Sequence, residues 1–171
     1  IMMSASTYIS FSKPRMLSAS GRCLTFDASA DGYARGEGAG AAVLRSLSGP
    51  APLSANGAAL SEPPEPRALL LGVAVNQDGR SLTLTAPNGP SQQRVMRVAL
   101  QEAQLTPQQV LLMECHGTET PRGYPIELGA LQAINVGRSR ENPWLLAAVR
   151  SNIGRLEGAA ASTGLWLSHG G

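Results

Sequence analysis

The chain has 171 residues, of which 43% are hydrophobic and 15% charged, and its formal net charge is +2 at neutral pH. A length of that order fits one domain able to bury about 70% of its unfolded surface, and the balance excludes a disordered or fibrous chain. The charges are scattered, with no basic run and no interleaved aromatics, which excludes a nucleic-acid surface. No apolar run reaches the roughly 20 residues that span a bilayer, and Ile1-Met2-Met3-Ser4 lacks a secretion signal's basic flank, so a cytoplasmic location is expected. Cys23 and Cys115 form neither a disulfide framework nor a metal-ligand spacing, so both are expected as reduced thiols, with no metal site.

In chain order, residues 1–22 mix polar and apolar side chains without sustained periodicity and resemble the end of an element. Between Arg35 and Leu44 a glycine-rich loop, with Gly36, Gly38 and Gly40, gives way to an apolar stretch, Ala41-Ala42-Val43-Leu44, that reads as a strand. A dinucleotide fingerprint needs a helix after its glycines, so the loop argues for close backbone approach or positive φ instead. Residues 48–66, with five prolines among Ser, Gly and Ala, read as a surface connection. Leu69–Val75 then reads as a buried strand and Asn76–Arg80 as a polar turn. Ser91, just after Pro90, is the expected N-cap of an amphipathic helix carrying Val95, Val98, Ala99 and Ala103.

Val110-Leu111-Leu112-Met113 reads as a short buried strand, so His116 emerges where a strand becomes a loop. On spacing alone His116 is equally a catalytic imidazole or an ordinary loop residue. A second helix is marked by Ile126, Leu128, Ala130, Leu131 and Ile134, a further strand by Trp144–Val149, an exit loop by Arg150–Arg155, and a tightly packed helix by Leu156–Leu167. This alternation argues for an α/β layered domain, and it places His116 and Arg150–Arg155 on one rim if their strands are neighbours.

Several motifs occur together and in order: Phe26-Asp27-Ala28-Ser29-Ala30-Asp31-Gly32-Tyr33, Arg35-Gly36-Glu37-Gly38, Ala74-Val75-Asn76-Gln77-Asp78-Gly79, Thr85-Ala86-Pro87-Asn88-Gly89-Pro90, His116-Gly117-Thr118 and Ser151-Asn152-Ile153-Gly154. On these the chain resembles the β-ketoacyl synthase (ketosynthase) domain of modular type I polyketide synthases. The resemblance implies a thiolase-like layered α-β-α-β-α sandwich, present only in part. Residues 1–47 would be the end of the N-terminal half, 48–66 the connection, and 67–171 a truncated C-terminal half. The reaction it implies is decarboxylative Claisen condensation of an acyl group held on a cysteine with a malonyl-type extender on an acyl carrier protein. No cofactor is then bound directly; the phosphopantetheine arm of the carrier protein brings the substrate. The resemblance also implies a homodimer, or pairing with another ketosynthase portion.

Mapped through the resemblance, His116 matches the first of the family's pair of enolate-stabilising histidines, and Thr118, Thr120 and Asn152 match substrate-binding positions. Arg155 stands where the second histidine is expected; it keeps a positive donor but cannot act as a neutral imidazole. Arg150 replaces the family lysine, and its expected carboxylate partner is Glu127. The family's nucleophilic cysteine lies upstream of the matched region, and Cys115, in a position usually alanine, is read as a small buried residue facing away from His116. Glu119, where glycine is usual, brings negative charge toward the phosphorylated arm and weakens the expected carrier-protein docking. These departures imply a ketosynthase-derived chain that does not condense alone. The alternative is a noncatalytic thiolase-like module that pairs with an intact ketosynthase or a separate N-terminal half. A small hydrolase using His116 lacks the Gly-x-Ser-x-Gly elbow.

Overall fold

The computed structural model describes residues 5–50, 53–58, 65–79, 87–117, 123–160 and 164–165. Its central unit is β1 (Leu112–Glu114), α3 (Gly123–Ile134) and β2 (Leu145–Ala147), preceded by α2 (Gly89–Glu102) and followed by the short α4 (Arg150–Ile153). The two strands pair in parallel, with Leu112 opposite Leu145, Met113 opposite Leu146 and Glu114 opposite Ala147. Parallel neighbours require a crossover, which α3 supplies. Cys115 extends the ladder by donating its N–H to the Ala147 carbonyl at 2.7 Å. Both strands therefore end on the same rim.

The core forms where α2 and α3 cover this sheet. Cys115, Leu131, Ile134 and Trp144 are buried together, with Met96, Leu100, Val110, Met113, Leu128 and Phe26 packed against them. Trp144 satisfies its indole by donating Nε1–H to the Pro107 carbonyl at 3.0 Å, and the Arg138 guanidinium lies 5.7 Å from the ring centroid. Such a pairing lets a large ring be buried without stranding its polar atom. The other strand residues are less covered: Leu112 is 41% exposed and Leu145 63%.

Helix α2 begins three residues earlier than its sequence suggests. Asn88, not Ser91, is the N-cap; its Oδ1 accepts from the Ser91 N–H at 3.1 Å, and Pro90 occupies the first turn. Ser91 is fully buried because its hydroxyl donates to the Gln77 carbonyl at 2.7 Å, and Asn76 Nδ2 donates back to the Ser91 carbonyl at 2.8 Å. Asn88 Nδ2 closes the clasp on the Asp78 carbonyl at 2.7 Å. The two polar motifs at 76–79 and 87–91 are thus one hydrogen-bonded unit, of which the cap alone contributes about 1 kcal/mol.

Two expected strands do not form. Ala41–Leu44 is irregular and exposed, with Val43 98% accessible. Leu69–Val75 has no regular structure and joins no strand among the described residues, and Leu69, Leu70, Leu71, Val73 and Val75 are exposed rather than buried. This segment is held instead by α2. Val73 donates its N–H to Glu102 at 2.7 Å, and Gly72 lies so close that a Cβ there would sit 2.5 Å from the Ala99 carbonyl oxygen. At the start of the chain, in a stretch whose sequence shows no regular period, α1 (Ala5–Ser12) forms with no buried residue. Of the helix expected over 156–167, Glu157–Ala159 is a 3-10 turn and Leu156 and Ala159 are buried.

The glycine-rich loop makes a close approach. A Cβ on Gly36 would meet the Ile153 carbonyl oxygen at 2.1 Å. That proximity lets Gly36 donate to the Arg155 carbonyl at 3.1 Å, while Arg155 donates to the Ala34 carbonyl at 2.9 Å. Nearby, Arg35 pairs with Glu157, and its guanidinium lies 5.2 Å from the Phe11 ring centroid. Residues 34–36 and 153–157 are stitched together this way. Among the described residues no helix is long and apolar enough to cross a membrane.

Candidate active site

His116 and Arg150 meet on the rim where β1 and β2 end. The parallel register places one residue just past each strand on the same side of the sheet, so the expectation that they share a rim is met. Arg150 opens α4 and is 6% exposed. Its Nη2 lies 2.9 Å from His116 Nδ1 and 3.5 Å from Nε2, and its Nη1 lies 3.4 Å from the Gly117 carbonyl oxygen.

Glu127 approaches the same corner from α3 but does not pair with Arg150. Its carboxylate accepts from the backbone N–H groups of His116 at 2.6 Å and Gly117 at 2.8 Å. Two aligned amide donors take up both carboxylate oxygens, and the expected Arg150–Glu127 ion pair gives way to two separate holds on one turn. Gly117 has φ +55, and a Cβ would lie 2.4 Å from Thr25 Cγ2 and 3.2 Å from Ala148 Cβ. Only glycine fits both the backbone and the space.

Electrostatics follow from this packing. His116 reaches solvent at its edge, yet its pKa is pushed down to about 4, first by burial of the ring and then by the charges of Arg150 and Arg155. At neutral pH it is an uncharged imidazole. Burial, reinforced by Glu127 and Glu114, pushes the Cys115 thiol up to about 12. Both cysteines are buried, and neither is part of a disulfide. Cys23 is engaged with its neighbour Ala34, whose N–H donates to the Cys23 sulfur at 3.2 Å.

Arg155 stands apart from the His116–Arg150 contact. Its guanidinium lies 4.7 Å from the Tyr33 ring centroid, a cation–π contact of about 0.5–2 kcal/mol. Asn152 is exposed, in a cleft of about 440 Å³ between Arg22–Leu24 and Arg150–Gly154. Thr118, Thr120 and Glu119 lie outside the described residues. Sequence reasoning missed Glu114. Its Oε1 accepts from the Val149 N–H at 2.7 Å and so pins the entry to α4. The available signal was a carboxylate at a strand end, facing a segment about to turn into a helix. The exit loop expected at Arg150–Arg155 is that helix over its first four residues, Arg150–Ile153.

Residues 67–168 match the family model of the β-ketoacyl synthase C-terminal domain, and residues 1–49 match that of its N-terminal domain. Polyketide synthase GfsA of Streptomyces halstedii is 45% identical over 96% of this chain and 2% of its own length. Erythronolide synthase EryA2 of Saccharopolyspora erythraea is 44% identical over 96% of the chain and 4% of its own length. The pikromycin polyketide synthase component PikAII of Streptomyces venezuelae is likewise 44% identical, over 96% of the chain and 4% of its own length. The chain thus spans a small part of each of these relatives. Among solved structures, the ketosynthase from module 6 of the bacillaene synthase from Bacillus subtilis 168 superposes with a TM-score of 0.81 at 31% identity. That match covers 98% of this chain and 29% of the other, so the layers seen here are part of a thiolase-like sandwich. The chain belongs to the β-ketoacyl synthase family, on the branch of the modular polyketide synthases.

Proposed function

We propose that this chain is a portion of a polyketide synthase ketosynthase that retains part of the enolate-stabilising corner but does not carry out condensation by itself. The general reaction of the family is decarboxylative Claisen condensation of an acyl thioester with a malonyl-type extender. It needs a thiolate to hold the acyl group and neutral donors to stabilise the enolate oxygen as carbon dioxide leaves. The observation that carries the reading is the contrast between His116 and the cysteines. His116 is an uncharged imidazole on the rim, suited to donating a hydrogen bond, whereas both thiols are buried and Cys115 is pushed up to about 12.

In this reading His116 is the enolate-stabilising donor, Arg150 and Glu127 hold it, and Asn152 lies along the substrate approach. Arg155 supplies positive charge near the rim while its guanidinium rests on Tyr33. The acyl group and the extender arrive on the phosphopantetheine arm of an acyl carrier protein; Thr118 and Thr120 stand at sequence positions that the family uses for substrate binding, and the negative charge of Glu119 weakens docking of the phosphorylated arm. The test mixes the purified chain with acyl and malonyl carrier protein. No β-ketoacyl product above background is expected, and product at the rate of an intact ketosynthase would overturn the reading.

A second reading is a noncatalytic module that pairs with an intact ketosynthase or a separate N-terminal half. It draws support from Leu112 and Leu145, which lie opposite each other on one face of the sheet and are both exposed, apolar surface of the kind that marks interfaces. Multi-angle light scattering of the chain mixed with such a ketosynthase is expected to show a complex if this is its role. Two unshifted peaks would end the idea.

A further inference from the structure

Two arginines meet where an early segment of the chain lies against a late one. Arg35 and Arg155 are partners in an isolated parallel bridge, closed by the Gly36 N–H donating to the Arg155 carbonyl at 3.1 Å and the Arg155 N–H donating to the Ala34 carbonyl at 2.9 Å. Like charges on paired residues repel, so each guanidinium needs a counterpart of its own. Arg35 has Glu157 and the Phe11 ring. Arg155 has Tyr33, with its Cζ 4.7 Å from the ring centroid.

Tyr33 is itself held from the other side. Its N–H donates to the Met16 carbonyl and its carbonyl accepts from the Ser18 N–H, each at 3.1 Å. Its ring meets Phe11 of α1 edge-on, with the centroids 6.4 Å apart, and the residue is 3% exposed. A cation over a ring shielded from water is bound more strongly than one at an open surface. The same seam, through Ala34, Arg35, Ile153 and Gly154, lines the cleft that also takes in Arg150 and Asn152.

We propose that Tyr33 and Arg155 form a latch in which Tyr33 is the positioning residue: its ring holds the Arg155 guanidinium along the seam between residues 33–36 and 153–157, which keeps that wall of the cleft closed and the guanidinium out of contact with His116. The backbone bridge sets the two segments side by side, and the ring commits the one arginine that Glu157 does not pair with. The latch acts whatever reaction takes place in the cleft, so it stands independently of the functional reading.

The experiment records NMR spectra and amide hydrogen exchange of the isotope-labelled full chain. In the native chain the side-chain methylene protons of Arg155 are expected upfield of those of free arginine, the mark of protons over an aromatic ring. Tyr33→Leu is expected to return them to the free position and to speed exchange of the amides at 36 and 155 about tenfold or more. The Cys115 and Leu145 amides, which belong to the sheet ladder, are expected to keep their native rates within about a factor of two. Tyr33→Phe, which keeps the ring, is expected to keep the native shifts and rates. Arg155→Gln leaves the packing around Tyr33 in place and is expected to speed the same two amides by the same factor, so it decides the matter if Tyr33→Leu loses structure. Arg155 methylenes at the free position in the native chain, exchange at 36 and 155 unmoved in Arg155→Gln, or Tyr33→Phe as disruptive as Tyr33→Leu would overturn the proposal. Condensation by the purified chain would overturn the functional reading and leave the latch standing.

Discussion

Cys115 in the folded chain is expected to resist alkylation about a thousandfold better than the same residue in the urea-unfolded chain at pH 8. Two causes act together. The thiol is 7% exposed, packed with Leu131, Ile134 and Trp144, and its pKa is pushed up to about 12, first by burial and then by Glu127 and Glu114. Since the thiolate is the reactive form, moving the pKa from the usual value near 8.5 to about 12 cuts its population at pH 8 by roughly three orders of magnitude. The measurement is iodoacetamide labelling followed by peptide mass spectrometry, which separates Cys115 from Cys23. The prediction bears on function, because a family that stores its acyl group on sulfur needs an ionised, reachable thiol. Labelling of folded Cys115 at the unfolded rate would show a reactive thiol beside His116 and reopen the question of a nucleophile within this chain.

Replacing Gly117 is expected to have the largest effect on the rim itself. Gly117→Ala forces a side chain into left-handed backbone, at about 1–2 kcal/mol. It also drives the new methyl to 2.4 Å from Thr25 and 3.2 Å from Ala148, and overpacking of this kind costs about 1–3 kcal/mol. Together these come to roughly 2–5 kcal/mol. The turn carries both the amide held by Glu127 and the carbonyl facing Arg150, so the loss falls on the contacts that set His116. Hydrogen exchange of the amides at 115–117 is expected to accelerate by about thirtyfold or more, taking tenfold per 1.4 kcal/mol. Exchange unchanged within about a factor of two would show that the corner is not held as described.

Much of this architecture can be read from the residues. The apolar run before His116 and the one before Arg150 read as strands because each is short, β-branched or leucine-rich, and bounded by turns. Their pairing gives the rim. The two long helices are also readable from their periodicity, and the ordered motifs identify the family. What sequence cannot supply is the partner that turns an apolar run into a strand. Leu69–Val75 has strand composition, yet it lies against α2 through Gly72 and Val73, with no strand beside it among the described residues. Ala41–Leu44 fails for the same reason.

Capping and charge pairing show a second limit, that of equivalent groups competing for one partner. Asn88 and Ser91 are both good cap residues, and tertiary demand decides between them. The Gln77 carbonyl takes the Ser91 hydroxyl and leaves the cap to Asn88. The family resemblance makes Arg150 and Glu127 an expected pair. In the fold, two backbone N–H groups at 2.6 and 2.8 Å reach the carboxylate first, and the guanidinium turns to the imidazole. Arg155 likewise reads as a histidine substitute, while its guanidinium rests on Tyr33, a contact between residues far apart in the chain.

The central claim is that the chain keeps the enolate-stabilising corner without a thiol able to hold the acyl group. It is tested most directly on the first half-reaction. The purified chain is incubated with an acyl thioester on acyl carrier protein, and its intact mass is recorded under conditions that preserve thioesters. The expected spectrum shows the unmodified chain alone. A stoichiometric acyl adduct that maps to Cys115 or Cys23 and disappears with formation of β-ketoacyl product on adding malonyl carrier protein would contradict the account.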